Sequence, residues 1–184
     1  MVGSEFSAVL AAAQQGSEAA FAVLWRDGNP ALLRYLRAMA PDAADDVAAE
    51  TWVQVCRGLR GFRGNEQAWR SWLFTVARRR ALDEARRSSR HPVTPLADLP
   101  YHLEPAAADA GEIALENLAT TAVMRTIRTL PPLQADIILL RIVAGLDNET
   151  VARIVGRSPG AVRVAAHRGL RRLAQTLSPA GVTP

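Results

Sequence analysis

The chain has 184 residues, 49% of them apolar but only 5% aromatic, with a formal net charge of +4. That is enough for one medium domain or two small ones with their own cores. It excludes a membrane-spanning helix, because no apolar run approaches the ~20 residues a bilayer needs, and the single cysteine, Cys56, excludes an internal disulfide and fits a reducing cytosol.

All 22 basic residues are arginine, and they are unevenly placed. Residues 1–56 hold 3 arginines and 7 acids, residues 57–90 hold 10 and 3, residues 91–124 hold none and 5, and residues 125–184 hold 9 and 3. Two basic blocks flanking an acidic one fit two separate anionic contacts; charge alone fits two solvated helical faces equally well.

In chain order, the N-terminus has no basic region ahead of its apolar stretch, so no secretory signal is expected. Phe6, Val9, Leu10 and Ala13 share one helical face, and Phe21, Leu24 and Trp25 share another. Gly28-Asn29-Pro30 predicts a kink or restart, after which Leu32, Leu33, Leu36 and Met39 continue the helix. Val47, Thr51 and Val55, with Trp52 and Leu59, predict a third helix. In it, Cys56 sits in an apolar pattern, which predicts a buried, inert thiol. Gly61–Gln67 predicts a loop; Trp69, Trp72, Leu73, Val76, Ala77 and Leu82 predict a fourth helix ending near Arg86–Ser89.

Residues 91–111 contain four prolines and no clear period, and predict a linker, although Leu96, Leu99, Tyr101 and Leu103 would also suit a loop packed on a domain. Helical pattern resumes from Ile113 to about Thr129, breaks at Leu130-Pro131-Pro132, and returns from Leu133 to Val143, with Gly145 as its stop. No strand pattern of useful length and no internal repeat appears. The expected fold is all-α: a helical domain over residues 1–90, a flexible Pro/Ala-rich linker over 91–111, a second helical domain over 112–178, and a tail over 179–184.

The second domain ends in two short helices. Asp147 suits the N-cap of the first, and Ser158 caps the second with Pro159 at its first position, where the missing N–H is harmless. Ala152 suits a steep helix crossing, Gly156 a turn with positive φ, and Val162 the contact back to the first helix. Together they form a helix-turn-helix. In its second helix Val162, Ala166, Leu170 and Leu173 are expected inward, with Arg163, His167, Arg168, Arg171 and Arg172 outward or sideways. Small residues Gly160, Ala161, Val164 and Ala165 permit close approach to a major groove, with arginines on phosphates. The candidate duplex-DNA contacts are Ser158, Gly160, Ala161, Arg163, Val164, His167, Arg168 and Arg171. A lone His167 without cysteine or histidine spacing does not make a zinc site, so no metal or cofactor is expected.

The first domain offers a second candidate surface. Phe62, Arg63 and Asn65 in the loop, Trp69 at the helix start, and Arg78, Arg79 and Arg86 further along combine basic and aromatic groups, as unpaired nucleic acid requires. Trp72, Leu73 and Val76 read mainly as core. By contrast Asp45, Asp46 and Glu50, beside Trp52, form an acidic helix face suited to a basic protein partner. No nucleophile–base set or phosphate-cradling glycine loop appears, so no enzymatic activity is expected.

Taken together, these segments resemble bacterial RNA polymerase sigma factors of the extracytoplasmic-function group. DDVAAETW looks like that family's core-polymerase-binding helix, FRGNEQAWRSWLFTVARRRALDEARR like its promoter-melting and minus-ten segment, and LPPLQADIILLRIVAGLDNETVARIVGRSPGAVRVAAHRGLRRL like its minus-thirty-five domain. The chain departs from the family at Arg79, where asparagine is usual, at Ala49, where glutamine is frequent, and at Val164-Ala165, where a Ser-Arg pair is typical. The resemblance implies a cytoplasmic transcription initiation factor whose partners are core RNA polymerase, promoter DNA (duplex and melted) and an anti-sigma protein. Asp45, Asp46, Glu50 and Trp52 would dock on polymerase, and the acidic linker would track through a basic channel. Residue chemistry by itself also admits a stand-alone dimeric helix-turn-helix regulator with a helical sensor domain, and an adaptor that binds a protein partner through its helices.

Overall fold

The computed structural model of the chain describes residues 2–90 and 123–177. The linker 91–111, the start of the helix expected from Ile113, and the tail 179–184 lie outside the described residues. Among the described residues every regular element is helical. A 3-10 turn at Gly3–Glu5 leads into α1 (Phe6–Gln14) and α2 (Glu18–Met39); a second such turn at Pro41–Ala43 precedes α3 (Ala44–Leu59) and α4 (Glu66–Arg90). The second domain holds α5, helical over 123–128, then α6 (Pro132–Ile142), α7 (Asn148–Val155) and α8 (Pro159–Leu177).

Caps set several of these boundaries. The Ser17 hydroxyl accepts from the Ala20 amide at 3.2 Å and starts α2. The helix does not restart at Gly28-Asn29-Pro30: α2 runs continuously through them. Proline has no N–H to give to the carbonyl one turn back, but tertiary contacts brace this turn. Gly28 lies against Leu73 and Trp52, where a Cβ would meet side-chain atoms at 3.1 and 3.2 Å, and Asn29 accepts from the Trp52 indole N–H at 2.9 Å.

Val47, Thr51, Trp52, Val55 and Leu59 of α3 are all buried, as the period predicts, and pack on α2 and α4. Two expected positions differ. Trp25 is 42% exposed while Leu24 is fully buried, so the apolar face of α2 passes to one side of the tryptophan. Cys56 is exposed; partial burial nevertheless raises its thiol pKa and keeps it protonated.

The second domain has an aliphatic core of Ile137, Ile138, Leu139, Leu140, Val151 and Val162. Here α8 approaches α6 closely at Gly169, where an added Cβ would stand 2.5 Å from the Ile138 Cδ1. That glycine takes the inward place expected of Leu170, which is 44% exposed. The two domains also touch: α2 contacts α6, and α4 contacts α7.

Candidate nucleic-acid interface

The helix-turn-helix is built as its residue types require. The Asp147 carboxylate accepts from the Thr150 amide at 2.7 Å, a hydrogen bond that holds the carboxyl below its ordinary range. Gly156 closes α7 in the left-handed conformation at φ 67°, and the Arg157 amide returns to the Ala152 carbonyl at 3.0 Å. Ser158 accepts from the Ala161 amide at 3.2 Å and opens α8. Ala152 and Val162 are buried at the crossing.

Against this base the outer side of α8 is set. Val162, Ala166, Gly169 and Leu173 are buried, so at 100° per residue the opposite ridge is Gly160, Val164, His167 and Arg171, with Arg168 beside it. Val164 is 49% exposed at the middle of that ridge. Ser158, Ala161, Arg163, Val164, His167, Arg168 and Arg171 are all exposed, and Gly160 is half-buried. Arg172, by contrast, turns back and donates to Gln134 of α6 at 3.1 Å.

The loop between α3 and α4 is a rigid construction. Gln14, from α1, donates to the carbonyls of Leu59 and Phe62 at 2.9 and 2.8 Å. Arg63 folds back on the carbonyls of Arg60 and Phe62 at 2.9 and 2.7 Å. Asn65 accepts from the Ala68 amide at 2.9 Å, the N-cap of α4. The role of Gln14 was invisible in the sequence, because its partners lie more than forty residues away.

Phe62 is half-buried and stacks on Trp72, with ring centroids 5.2 Å apart and planes 17° apart. Trp69 meets Phe6, Phe62 and Trp72 in tilted and edge contacts and is 2% exposed. The assignment of Trp69 to a base contact is therefore corrected: its ring closes the aromatic core beneath the loop and has no surface to offer. Further along α4, Arg79 and Arg86 are exposed, with Arg86 paired to Asp83 at 3.2 Å. Arg78 is half-buried and held by Asp136 of the second domain at 2.6 Å.

On α3, Asp45, Asp46 and Glu50 are exposed, with Glu50 bound to Arg80 at 2.8 Å. Trp52, grouped with them as a docking residue, is corrected: it is 7% exposed, anchored by Asn29 and edge-packed on Phe21. Val53 takes its place outside. It is 50% exposed and stands one turn or two from Asp46, Ala49 and Glu50, at i+7, i+4 and i+3 spacing. An exposed valine on an acidic face is a protein-contact signal that periodicity alone assigned to no face. No group of metal-ligating side chains occurs among the described residues, and no described helix is long and apolar enough to cross a membrane.

Residues 24–91 match the Sigma-70 region 2 family, and residues 120–173 match the Sigma-70, region 4 family. The ECF RNA polymerase sigma factor SigD of Mycobacterium tuberculosis is 33% identical over 189 aligned residues, which cover 98% of this chain and 88% of SigD. This chain belongs to the ECF RNA polymerase sigma factors. It is thus a transcription initiation factor that directs RNA polymerase to promoters, with a region 2 in its first domain and a region 4 around the helix-turn-helix. Two solved structures share its fold. CnrH, in complex with the cytosolic domain of CnrY, aligns with a TM-score of 0.66 at 21% identity, covering 96% of this chain and 99% of CnrH. The sigma factor RpoE of Bartonella quintana, in complex with the anti-sigma factor NepR, aligns with a TM-score of 0.64 at 19% identity, covering 88% of this chain and 98% of RpoE.

Proposed function

We propose that this sigma factor grips a promoter with two surfaces on separate domains, residues 1–90 and 112–178, joined by 91–111 and followed by a tail at 179–184. The ridge of α8 enters the major groove upstream, with Gly160 and Ala161 allowing close approach and Arg163, Arg168 and Arg171 on phosphates. Val164, apolar and central, suits a thymine methyl group, the one apolar feature of a major-groove edge. Its place beside Ala165 at the centre of the ridge gives this chain its upstream preference.

Downstream, the loop holding Phe62, Arg63 and Asn65, with Arg79, Arg86 and Arg78 along α4, takes the melted strand. Trapping an unpaired strand stabilises the open state by mass action, so the factor needs no catalytic group of its own. The α3 face of Asp45, Asp46, Glu50 and Val53 docks on core RNA polymerase in the cytoplasm. An anti-sigma protein, of the kind seen with RpoE of Bartonella quintana, is the natural inhibitor.

The observation that carries this reading is the exposed basic ridge of α8 on a helix-turn-helix whose caps, turn and crossing are all in place. Run-off transcription with purified core polymerase on genomic fragments tests it: discrete starts that depend on the chain are expected, and their absence refutes the role. Asp46→Arg should leave the fold intact and abolish co-purification with core polymerase; normal co-purification would remove α3 from that interface. A stable dimer indifferent to polymerase would favour a stand-alone regulator instead.

A further inference from the structure

One buried carboxylate bridges the two domains. Asp136 of α6 is 2% exposed, and both of its oxygens reach across the domain boundary. Oδ1 accepts from the Tyr35 hydroxyl of α2 at 2.9 Å, and Oδ2 accepts from Arg78 Nε of α4 at 2.6 Å. The same guanidinium donates to the Ile154 carbonyl of α7 at 3.3 Å. Tyr35 is fully buried and packs edge-on to Phe74. Its phenol is held well above its ordinary pKa by burial and by the neighbouring Asp136 charge, so it remains a donor. Two turns earlier on α4, Arg70, paired with Asp27, also lies close to the second domain, 3.5 Å from where a Cβ on Gly145 would stand.

Such a contact closes the domains without welding them. An ion pair removed from water gains little over its hydrated, separated partners, and small polar interfaces between domains are ones across which domains move. When the domains part, Asp136, Arg78 and Tyr35 all regain water. Meanwhile Arg78 belongs to the strip of α4 that also carries Arg79 and Arg86. A guanidinium offers a carboxylate the same planar fork that it offers a phosphate.

We infer that Asp136 is a built-in phosphate surrogate: it clasps Arg78 and Tyr35 to hold the two domains closed, and a promoter strand competes with it for Arg78. Closure masks one end of the strand-binding face, and strand capture opens the chain. The competition rests on the strand-binding role proposed above for α4; the clasp rests on geometry alone.

The test uses the full chain as wild type, Asp136→Asn and Tyr35→Phe, each checked for intact fold by circular dichroism and a thermal melt. Asparagine keeps the size of Asp136 and removes its charge. Small-angle X-ray scattering reads closure. Fluorescence anisotropy with a mixed-sequence single-stranded DNA of about 12 nucleotides, within the range such surfaces hold, reads masking. Asp136→Asn should enlarge the radius of gyration and tighten strand binding about fivefold, as when the competent fraction rises from roughly a tenth to a half. Tyr35→Phe should move both readouts the same way by less, and it carries the test if Asp136→Asn fails to fold. A folded Asp136→Asn with unchanged scattering refutes the clasp, whatever its DNA binding. Expansion with unchanged or weaker strand binding refutes the competition. Expansion with no strand binding by any form, wild type included, refutes the role of α4 as well.

Discussion

The two arginine-rich helices, α4 and α8, look alike in the sequence and behave differently in the fold. On α4 most guanidinium groups are engaged within the chain: Arg70 with Asp27, Arg78 with Asp136, Arg80 with Glu50 and Gln54, Arg86 with Asp83, and Arg87 with Glu84. On α8, Arg163, Arg168 and Arg171 stand exposed and form no ion pair among the described residues. The cores beneath them differ too. The domain of α4 is packed with Trp69, Trp52, Tyr35 and Phe74, whereas the domain of α8 is packed with isoleucine, leucine and valine. A count of arginines therefore measures available positive charge on α8 and overstates it on α4. The reason is that α4 carries Asp83 and Glu84 and packs beside Asp27, Glu50 and Asp136, whereas α8 has no acid of its own.

That contrast can be broken most severely at Trp69. If it is core and not a base contact, Trp69→Ala should cost about 3–5 kcal/mol of stability, the usual penalty for emptying a large aromatic site. Urea unfolding would measure it, and a folded, equally stable variant with weakened DNA binding would restore the base-contact role. The matching test on α8 should spare stability and strike binding. Arg163→Ala and Arg168→Ala should each lower the salt dependence of duplex binding by about one unit of slope per lost phosphate contact. Unchanged slopes would make these arginines merely solvated.

The turn that aims α8 can be loosened next. Asp147→Ala should destabilise the second domain by about 1 kcal/mol through the lost N-cap, whereas Asp147→Asn should retain most of it. Because the folded carboxyl of Asp147 titrates below its ordinary value, its charged-cap stabilisation is complete above the unfolded value, near pH 4. It fades as pH falls through the lower folded value. Melting temperatures of wild type should therefore drop more steeply on the acid side than those of Asp147→Asn; parallel profiles would contradict the cap. The smallest effect is expected at the Arg80–Glu50 pair that links α4 to α3 at the surface. Arg80→Ala should change stability by about 0.2–1 kcal/mol at most, as surface pairs do, and a larger loss would show that the α3–α4 packing depends on this pair more than its exposure implies.

Much of this fold was legible in the residues. The periods placed α1, α3, α6 and most of α4; Asp147, Gly156, Ser158 and Pro159 dictated the helix-turn-helix by local backbone chemistry. Failures came at the edges of faces. Leu170 lost its inward place to Gly169, and Trp25 and Cys56 fell outside, since a 100° step leaves boundary residues to be decided by whichever helix packs alongside. Trp52 and Trp69 were misplaced because a large amphipathic ring reads equally well as anchor or contact until its neighbours are known. Pro30 did not break α2, because Trp52 and Leu73 support that turn from other helices.

The sequence by itself determined the helical class, the caps and turn of the recognition unit, the two arginine blocks and the acidic face of α3 ahead of them, since each depends on residues within a few turns of one another. Only the tertiary structure decided which arginines remain available, which aromatics are interior, and that Asp136 joins Tyr35 and Arg78 across the domain boundary. Those partners are separated by 101 and 58 residues, and no local rule of backbone or period connects groups so far apart along the chain.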